Sequence, residues 1–285
     1  MSNNKTKGAI VSLMAETHIH SGIGQSTGTL DLPVARERTT YYPFIPGSAV
    51  KGAFRVWADE NERLKDKVDD LFGTKSQSVK DEAAVDGAGK LLFSDARLLL
   101  LPVRSLSDAF KWVTCPAILK RLERDINRSG KLYSFCIQPI EEGKYLGAGQ
   151  HGSWLTLEER EFKCKNKIDV SIIKLLVPLT GETQAVIERR LVIIPDDDFT
   201  WYARFALPVM ARNVLNEKTK ISENLWYEES LAPDTVMYLL LGERKPDCIS
   251  VVTDTLVENK AKYIQMGGNE TVGQGWFHMR HFIGV

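Results

Sequence analysis

Residues 91–103 read Leu-Leu-Phe-Ser-Asp-Ala-Arg-Leu-Leu-Leu-Leu-Pro-Val, an almost unbroken apolar stretch of strand length. A strand with apolar side chains on both faces has to be covered on both, so this segment predicts a central strand of a larger sheet. Residues 8–15 supply a partner, since Ile10, Ser12 and Met14 alternate with Val11, Leu13 and Ala15. Further strands are predicted over 168–177, 185–194, 200–209, 237–241, 251–256, 263–266 and 276–282. One helix is predicted to start at Ser48 as N-cap, with Ala49, Ala53, Phe54 and Trp57 at helical spacing, and to run on through 59–71 to Gly73. A second begins at Ser107, is interrupted at Cys115-Pro116 and restarts with Ile118, Leu119, Leu122 and Ile126 on one face. Strands joined by two main helices predict an α+β fold, most economically of ferredoxin type. Thr180-Gly181-Glu182 is a turn signal that makes 168–194 a candidate protruding hairpin, and the polar residues 74–90 read as an exposed insertion.

The chain has 285 residues, 43% of them apolar and 26% charged, which excludes a disordered, collagen-like or membrane-spanning chain. Lysine plus arginine and aspartate plus glutamate each number 37, so no global field draws in a polyanion, and any nucleic-acid surface must be local. Residues 120–131 offer one, with Lys120, Arg121, Arg124, Arg128 and Lys131 against Glu123 and Asp125. Residues 217–270 lean acidic, a split that suits a subunit stacking head to tail with copies of itself. Cys115, Cys136, Cys164 and Cys248 form no C-x-x-C pair, so the expectation is a reduced cytosolic protein without structural zinc. No signal peptide or membrane anchor is expected, since the longest apolar runs are far shorter than the roughly 20 residues a bilayer crossing needs.

Three constellations carry chemistry. The first is Gly47-Ser48-Ala49-Val50-Lys51-Gly52-Ala53-Phe54-Arg55, where a helix N-terminus and two cations four residues apart form a backbone clamp for RNA or DNA. A capped amphipathic helix with two solvated cations gives the same pattern, and the spacing is not that of a Walker loop. The second is the loop Met266-Gly267-Gly268-Asn269-Glu270-Thr271-Val272-Gly273-Gln274-Gly275, whose glycines let a backbone approach a phosphate or simply make a pliant connection. The third is His20 with Asp31 in the long Gly- and Pro-rich loop 20–46, to which Glu37, Glu228 and Glu229 are added as carboxylates for metal binding or proton transfer. An aspartate in such a loop also serves as a turn former. Tyr41, Tyr42 and Phe44 are placed either to stack on bases or to pin the loop to the core.

Taken in order, His20-Ser21-Gly22-Ile23-Gly24, Leu30-Asp31-Leu32-Pro33-Val34, Arg36-Glu37-Arg38, Pro46-Gly47-Ser48 and Lys51-Gly52 resemble the RAMP-superfamily backbone subunits of type III-B CRISPR effectors, the Cmr subunit four family. The likeness continues in residues 94–105, in Trp112-Val113-Thr114-Cys115-Pro116, in Leu225-Trp226-Tyr227-Glu228-Glu229 and in Gly267 to Trp276.

The resemblance implies a single RAMP domain over 1–285: an RRM-like, ferredoxin-type palm with helical insertions, including 59–90, and a thumb hairpin, placed by elimination over 158–198. It implies that copies stack along a CRISPR RNA with other Cmr complex subunits and cleave complementary target RNA at regular intervals, in the cytoplasm and with no membrane. It further implies metal-dependent endoribonuclease action with Mg or Mn, with Asp31 catalytic and a metal ligand, joined by His20, Glu228 and Glu229. The RNA contacts it implies are Ser48, Lys51, Arg55, Arg36, Arg38, Gly267, Gly268, Gly273 and Gly275. A catalytically inert RNA-binding subunit of the same complex is the alternative. A precursor-processing RAMP enzyme is a second, against which the Leu30-to-Arg38 and Leu225-to-Glu229 segments weigh.

Overall fold

The computed structural model describes residues 8–22, 24, 30–74, 87–258 and 262–282. Ile23 and most of the expected insertion 74–90 lie outside them. The chain opens with β1 (Gly8–Ala15), β2 (Phe44–Ile45), α1 (Gly47–Asp59), α2 (Val68–Phe72), β3 (Leu91–Phe93), β4 (Ala96–Arg104), β5 (Phe110–Thr114) and α3 (Pro116–Arg128). It continues through β6 (Lys144–Leu146), β7 (Trp154–Leu157), β8 (Arg160–Asn166), α4 (Val170–Thr180), α5 (Gln184–Arg190), β9 (Leu191–Ile193) and α6 (Asp196–Phe205). The last elements are β10 (Val209–Leu215), β11 (Ser222–Glu229), β12 (Val236–Glu243), α7 (Cys248–Glu258), β13 (Tyr263–Gln265) and β14 (Trp276–Phe282).

Twelve strands form one sheet whose centre runs β14-β1-β12-β4, all antiparallel, with connectivity β1-α1-β4 and β12-α7-β14. The expected central strand is there: Leu98, Leu99, Leu100, Leu101 and Val103 of β4 are buried between β12 and β5. Beyond β5 the sheet extends through β9, β6, β8 and β7, and β10 and β11 form a separate two-stranded ribbon. In register across the centre, Ser12 pairs with both Tyr238 and Arg280. These residues share one face, which α3 and α4 cover: the Tyr238 hydroxyl donates to Asp125 of α3 at 2.9 Å, and the Arg280 guanidinium lies against Gly181 just beyond α4. That face of the sheet is thus covered by helices. Among the described residues no single helix is long and apolar enough to cross a membrane.

Four expected strands are helices. Residues 168–177 fall mostly in α4, 185–194 in α5 and β9, 200–209 largely in α6, and 251–256 in α7. The apolar runs are real, but a fully buried helix and a buried strand look alike in periodicity, and the caps decide. Asp169 caps α4 by accepting from the Ser171 N–H at 2.8 Å, and Gly181 closes it in the left-handed conformation. Thr183 then caps α5, so the Thr-Gly-Glu signal marks a helix–helix corner. The stretch 168–194 is therefore not a hairpin: the span 158–198 holds β8, which pairs antiparallel with β7, followed by α4, α5, β9 and the start of α6, while β10–β11 is a separate ribbon. For α7, Glu243 at the end of β12 accepts from the Cys248 and Ile249 N–H groups at 2.9 and 3.0 Å. The stretch after Ser107 forms β5, so the second helix begins at Pro116, in the first helical position as its missing N–H allows.

Candidate functional site: the junction of the long loop, the ribbon and the glycine loop

Among its described residues, the long loop makes a series of isolated bridges. Leu32 pairs in parallel with Glu228, Gly22 with Val34, and Arg36 with Pro43. Its anchor is the root of the ribbon: the Leu32 N–H donates to the Tyr227 carbonyl at 3.1 Å, and the Glu229 N–H to the Leu32 carbonyl at 3.0 Å. This pairing sets Asp31 beside β11, where its Oδ2 accepts from the Tyr227 N–H at 2.8 Å. Asp31 is half-buried, and among the described residues its other oxygen has no protein partner.

His20 reaches the same point from the other side of the loop. Its Nδ1 lies 2.7 Å from the Glu229 carbonyl oxygen, which can only accept. Nδ1 therefore carries the proton, and in the neutral ring the lone pair is on Nε2. Nε2 lies over Gly22, where an added Cβ would sit 2.5 Å from it.

The glycine loop 266–275 holds this histidine segment in place. The Gly268 N–H donates to the His20 carbonyl and the Gly275 N–H to the His18 carbonyl, both at 2.9 Å. Gly267 has φ +97, and a Cβ there would lie 2.5 Å from the His20 oxygen, so only glycine fits. The Gly273 N–H is taken by the Glu270 carbonyl. The N–H groups of Gly268, Gly273 and Gly275 are thus hydrogen-bonded inside the protein.

Both glutamates are buried and engaged. Glu229 Oε2 accepts from the Val34 N–H at 3.0 Å, and its Oε1 pairs with Arg36 Nη2 at 2.6 Å. Glu228 Oε1 accepts from Asn269 Nδ2 at 2.6 Å and faces Arg212 Nη2 at 3.4 Å. They brace the loop, the ribbon and the glycine loop against each other. Arg36, expected on RNA, is likewise internal: besides Glu229 it donates to the carbonyls of Tyr41, at 3.0 Å, and Ala203. Arg38 stands exposed in the turn 38–40.

The helix-start clamp is a separate feature. α1 begins at Gly47, one residue ahead of the expected Ser48 cap, and the Gly47 N–H is taken by Asp95 Oδ1 at 2.7 Å. Ser48 is exposed, and Lys51 is half-buried with no ion pair among the described residues. Arg55 does not join Lys51 on a free face: it is held by Asp69 and the Gly73 carbonyl. A cleft of about 330 Å³ separates α1, at Ala49, Gly52 and Val56, from Met266, Gly267 and Glu270 of the glycine loop. Of the basic cluster 120–131, Arg121 is paired with Glu37, and Arg121, Arg124 and Arg128 line a second cleft of about 370 Å³ with Arg97. Asn269 was not foreseen, although an asparagine in a glycine loop is the residue most able to take its left-handed φ of 62.

A divalent cation would need oxygen ligands, and the donor set does not supply a protein-built site. Both oxygens of Glu229 and Oε1 of Glu228 are committed to nitrogen donors, which leaves Oε2 of Glu228 and one oxygen of Asp31, and no group of three His, Cys, Asp or Glu suited to a metal occurs among the described residues.

Residues 12–278 match the family model of the RAMP superfamily. The chain is 31% identical over 95% of its length, and 94% of the relative's, to the CRISPR system Cmr endoribonuclease Cmr4 of Pyrococcus furiosus. It is 23% identical to the CRISPR system CMR subunit Cmr4 of Saccharolobus solfataricus, covering 94% of each chain. The fold overlays the oligomeric Cmr4 of P. furiosus with a TM-score of 0.76 at 27% identity, covering 97% of this chain and 98% of the other. A chain of the type III-B Cmr-beta complex bound to cognate target RNA matches in fold, with a TM-score of 0.72 at 20% identity over 96% of each. The chain belongs to the RAMP superfamily and, within it, to the Cmr4 family.

Proposed function

We propose that this chain is the repeated backbone subunit of a type III-B CRISPR effector, that copies of it stack along a CRISPR RNA in the cytoplasm with other Cmr subunits, and that it cleaves the complementary target RNA at regular intervals. The observation that carries this reading is the convergence of Asp31, His20 and the Glu228–Glu229 segment, 209 residues apart in the chain at the extremes, on one junction. The β1-α1-β4 and β12-α7-β14 halves, ordered β14-β1-β12-β4, are read as the ferredoxin-type, RRM-like palm. The ribbon β10–β11 is read as the thumb, since it exposes Val214, Leu215, Ile221 and Leu225 and ends at the site in Glu228 and Glu229. Sequence is then read by guide pairing, and the protein needs only backbone contacts, for which Ser48, Lys51 and Arg38 are accessible.

In this reading the free oxygen of Asp31 takes the proton of a ribose 2′-OH. The 2′-oxygen attacks its own 3′-phosphorus, the P–O5′ bond breaks, and the leaving oxygen is protonated by solvent. A 2′,3′-cyclic phosphate and a 5′-OH result. His20, fixed through Nδ1, orients the reacting ribose with Nε2, and positioning supplies much of the rate. Were a divalent Mg or Mn ion bound, Asp31 would be the residue to hold it and the ion would supply charge stabilisation at the phosphate; no step above depends on it.

The test is cleavage of end-labelled complementary RNA by the reconstituted complex, with wild-type or Asp31→Ala chains, with magnesium, manganese or chelator. A regularly spaced ladder that Asp31→Ala abolishes while target binding persists supports the reading. Tight binding without a ladder from either protein leaves the inert backbone subunit.

A further inference from the structure

The three loop aromatics part company in the fold. Tyr42 is buried, its ring edge-on to Phe199 at 5.2 Å and its hydroxyl 3.3 Å from the Cys115 thiol. Burial pushes that phenol well above its ordinary range and the thiol up to about 12, so both stay neutral and act as packing. Phe44 is half-buried in β2. Tyr41 alone faces outward, 46% exposed, on a backbone with φ 60. A bulky aromatic in the left-handed region is strained, and such strain is kept where surrounding contacts over-determine it. Here they do: the Tyr41 N–H donates to the Glu37 carbonyl at 2.9 Å, and the Tyr41 carbonyl accepts from Arg36 at 3.0 Å.

What the strain presents is a ladder of flat groups. Arg204 at the end of α6 lies over the Tyr41 ring, 4.4 Å from its centroid, and over Phe205 at 5.1 Å. Phe205 is 60% exposed and stacks obliquely on Trp201 at 5.5 Å, and Arg160 lies over Trp201 at 5.3 Å. Trp201 and Phe205 border an open cleft of about 610 Å³. Exposed aromatic rings interleaved with guanidinium planes are what single-stranded nucleic acid stacks upon, because every base has a π-face. The ladder is also tied to the Asp31 junction. The same Arg36 guanidinium that pairs with Glu229 donates to the carbonyls of Tyr41 and of Ala203, the residue before Arg204.

We propose that Tyr41, Arg204 and Phe205 form a stacking platform for an unpaired nucleobase of RNA beside the Asp31 junction. The proposal rests on the reading of the chain as an RNA-binding backbone subunit, and it does not require cleavage. The base's source is either the target or the guide strand, and the test separates them.

Complexes carrying Asp31→Ala, which removes cleavage from the measurement, are assembled with a single 2-aminopurine scanned along the target RNA or, in a second arm, along the guide. The expected result is quenched fluorescence at regularly recurring positions of one strand. The quenching is lost with Tyr41→Gly, kept with Tyr41→Phe, and weakened with Phe205→Ala. Glycine accepts φ 60 without strain, so Tyr41→Gly removes the ring while the chain melts no lower than wild type. Removing the stack should weaken binding at that site by about tenfold. If 2-aminopurine fluorescence is the same with tyrosine and glycine at position 41 at every position of both strands, the platform does not exist. If the quenching is lost while Asp31 proves irrelevant to cleavage in the ladder assay, the platform stands and the nuclease reading fails.

Discussion

Replacing Glu229 with alanine removes a carboxylate that is 4% exposed and holds two donors, the Val34 N–H at 3.0 Å and Arg36 at 2.6 Å. Arg36 is itself only 17% exposed, so the pair is largely desolvated and its loss leaves the Arg36 charge without a counter-charge and the Val34 amide without its partner. Breaking one side of such a pair costs about 3–5 kcal/mol. The strain falls first on the segment 31–36, which is held to the ribbon by isolated bridges and not by a continuous ladder. Local opening of that segment should therefore become roughly 100-fold or more easier, since about 1.4 kcal/mol is a factor of ten. Hydrogen exchange of peptides spanning residues 30–38 reads this directly. Glu229→Gln should fall in between, because its amide oxygen still accepts from Val34 but no longer balances Arg36. Target cleavage should decline in the same order, whereas Asp31→Asn should stop cleavage without changing exchange. Unchanged exchange in Glu229→Ala with cleavage lost would refute the bracing role and put Glu229 into the chemistry.

Gly267→Ala should abolish cleavage by pushing on the His20 carbonyl, while Gly268→Ala, whose Cβ would meet the His20 ring at an ordinary 3.6 Å, should retain most activity in the same single-turnover assay. Lys51→Ala should weaken RNA binding and reduce its salt dependence by about one ion per site, measured by titration at several salt concentrations. Arg55→Ala should instead lower the melting temperature by releasing α2, with the salt dependence unchanged. Burial, reinforced by Arg280 and Lys262, pulls the His278 imidazole from 6.5 down to about 4, so the folded state prefers the neutral ring. Unfolding titrations should accordingly show stability that is full above about pH 6.5 and declines toward about pH 4 by roughly 1–2 kcal/mol once the ring's partial exposure is discounted, a slope that His278→Gln removes.

The sequence made the centre of the sheet legible because β4, β1 and β12 are apolar by composition, and it placed α1 and α3 through proline and helical spacing. It misread α4 to α7, where dense apolar runs mimic strands and the deciding caps are single residues such as Asp169 and Gly181, or a distant one, Glu243. Asp31, His20, Glu228 and Glu229 are all nameable from motif likeness, and in the fold the Asp31 and His20 side chains bond to the β11 backbone at Tyr227 and Glu229. Spacing could not reveal that the two glutamates brace the loop, because their partners Arg36, Val34 and Asn269 come from other segments. The same holds for Arg55 and for Tyr41: each is defined by a tertiary neighbour, Asp69 in one case and Arg204 in the other.

The most direct test of the account is the single-turnover cleavage rate of complementary RNA by complexes containing wild-type or Asp31→Asn chains, with target affinity measured on the same preparations. The account predicts a loss of at least about 100-fold in rate with affinity changed less than about twofold, the signature of a group that acts only on the reacting atoms. An Asp31→Asn complex that cleaves at the wild-type rate would contradict it.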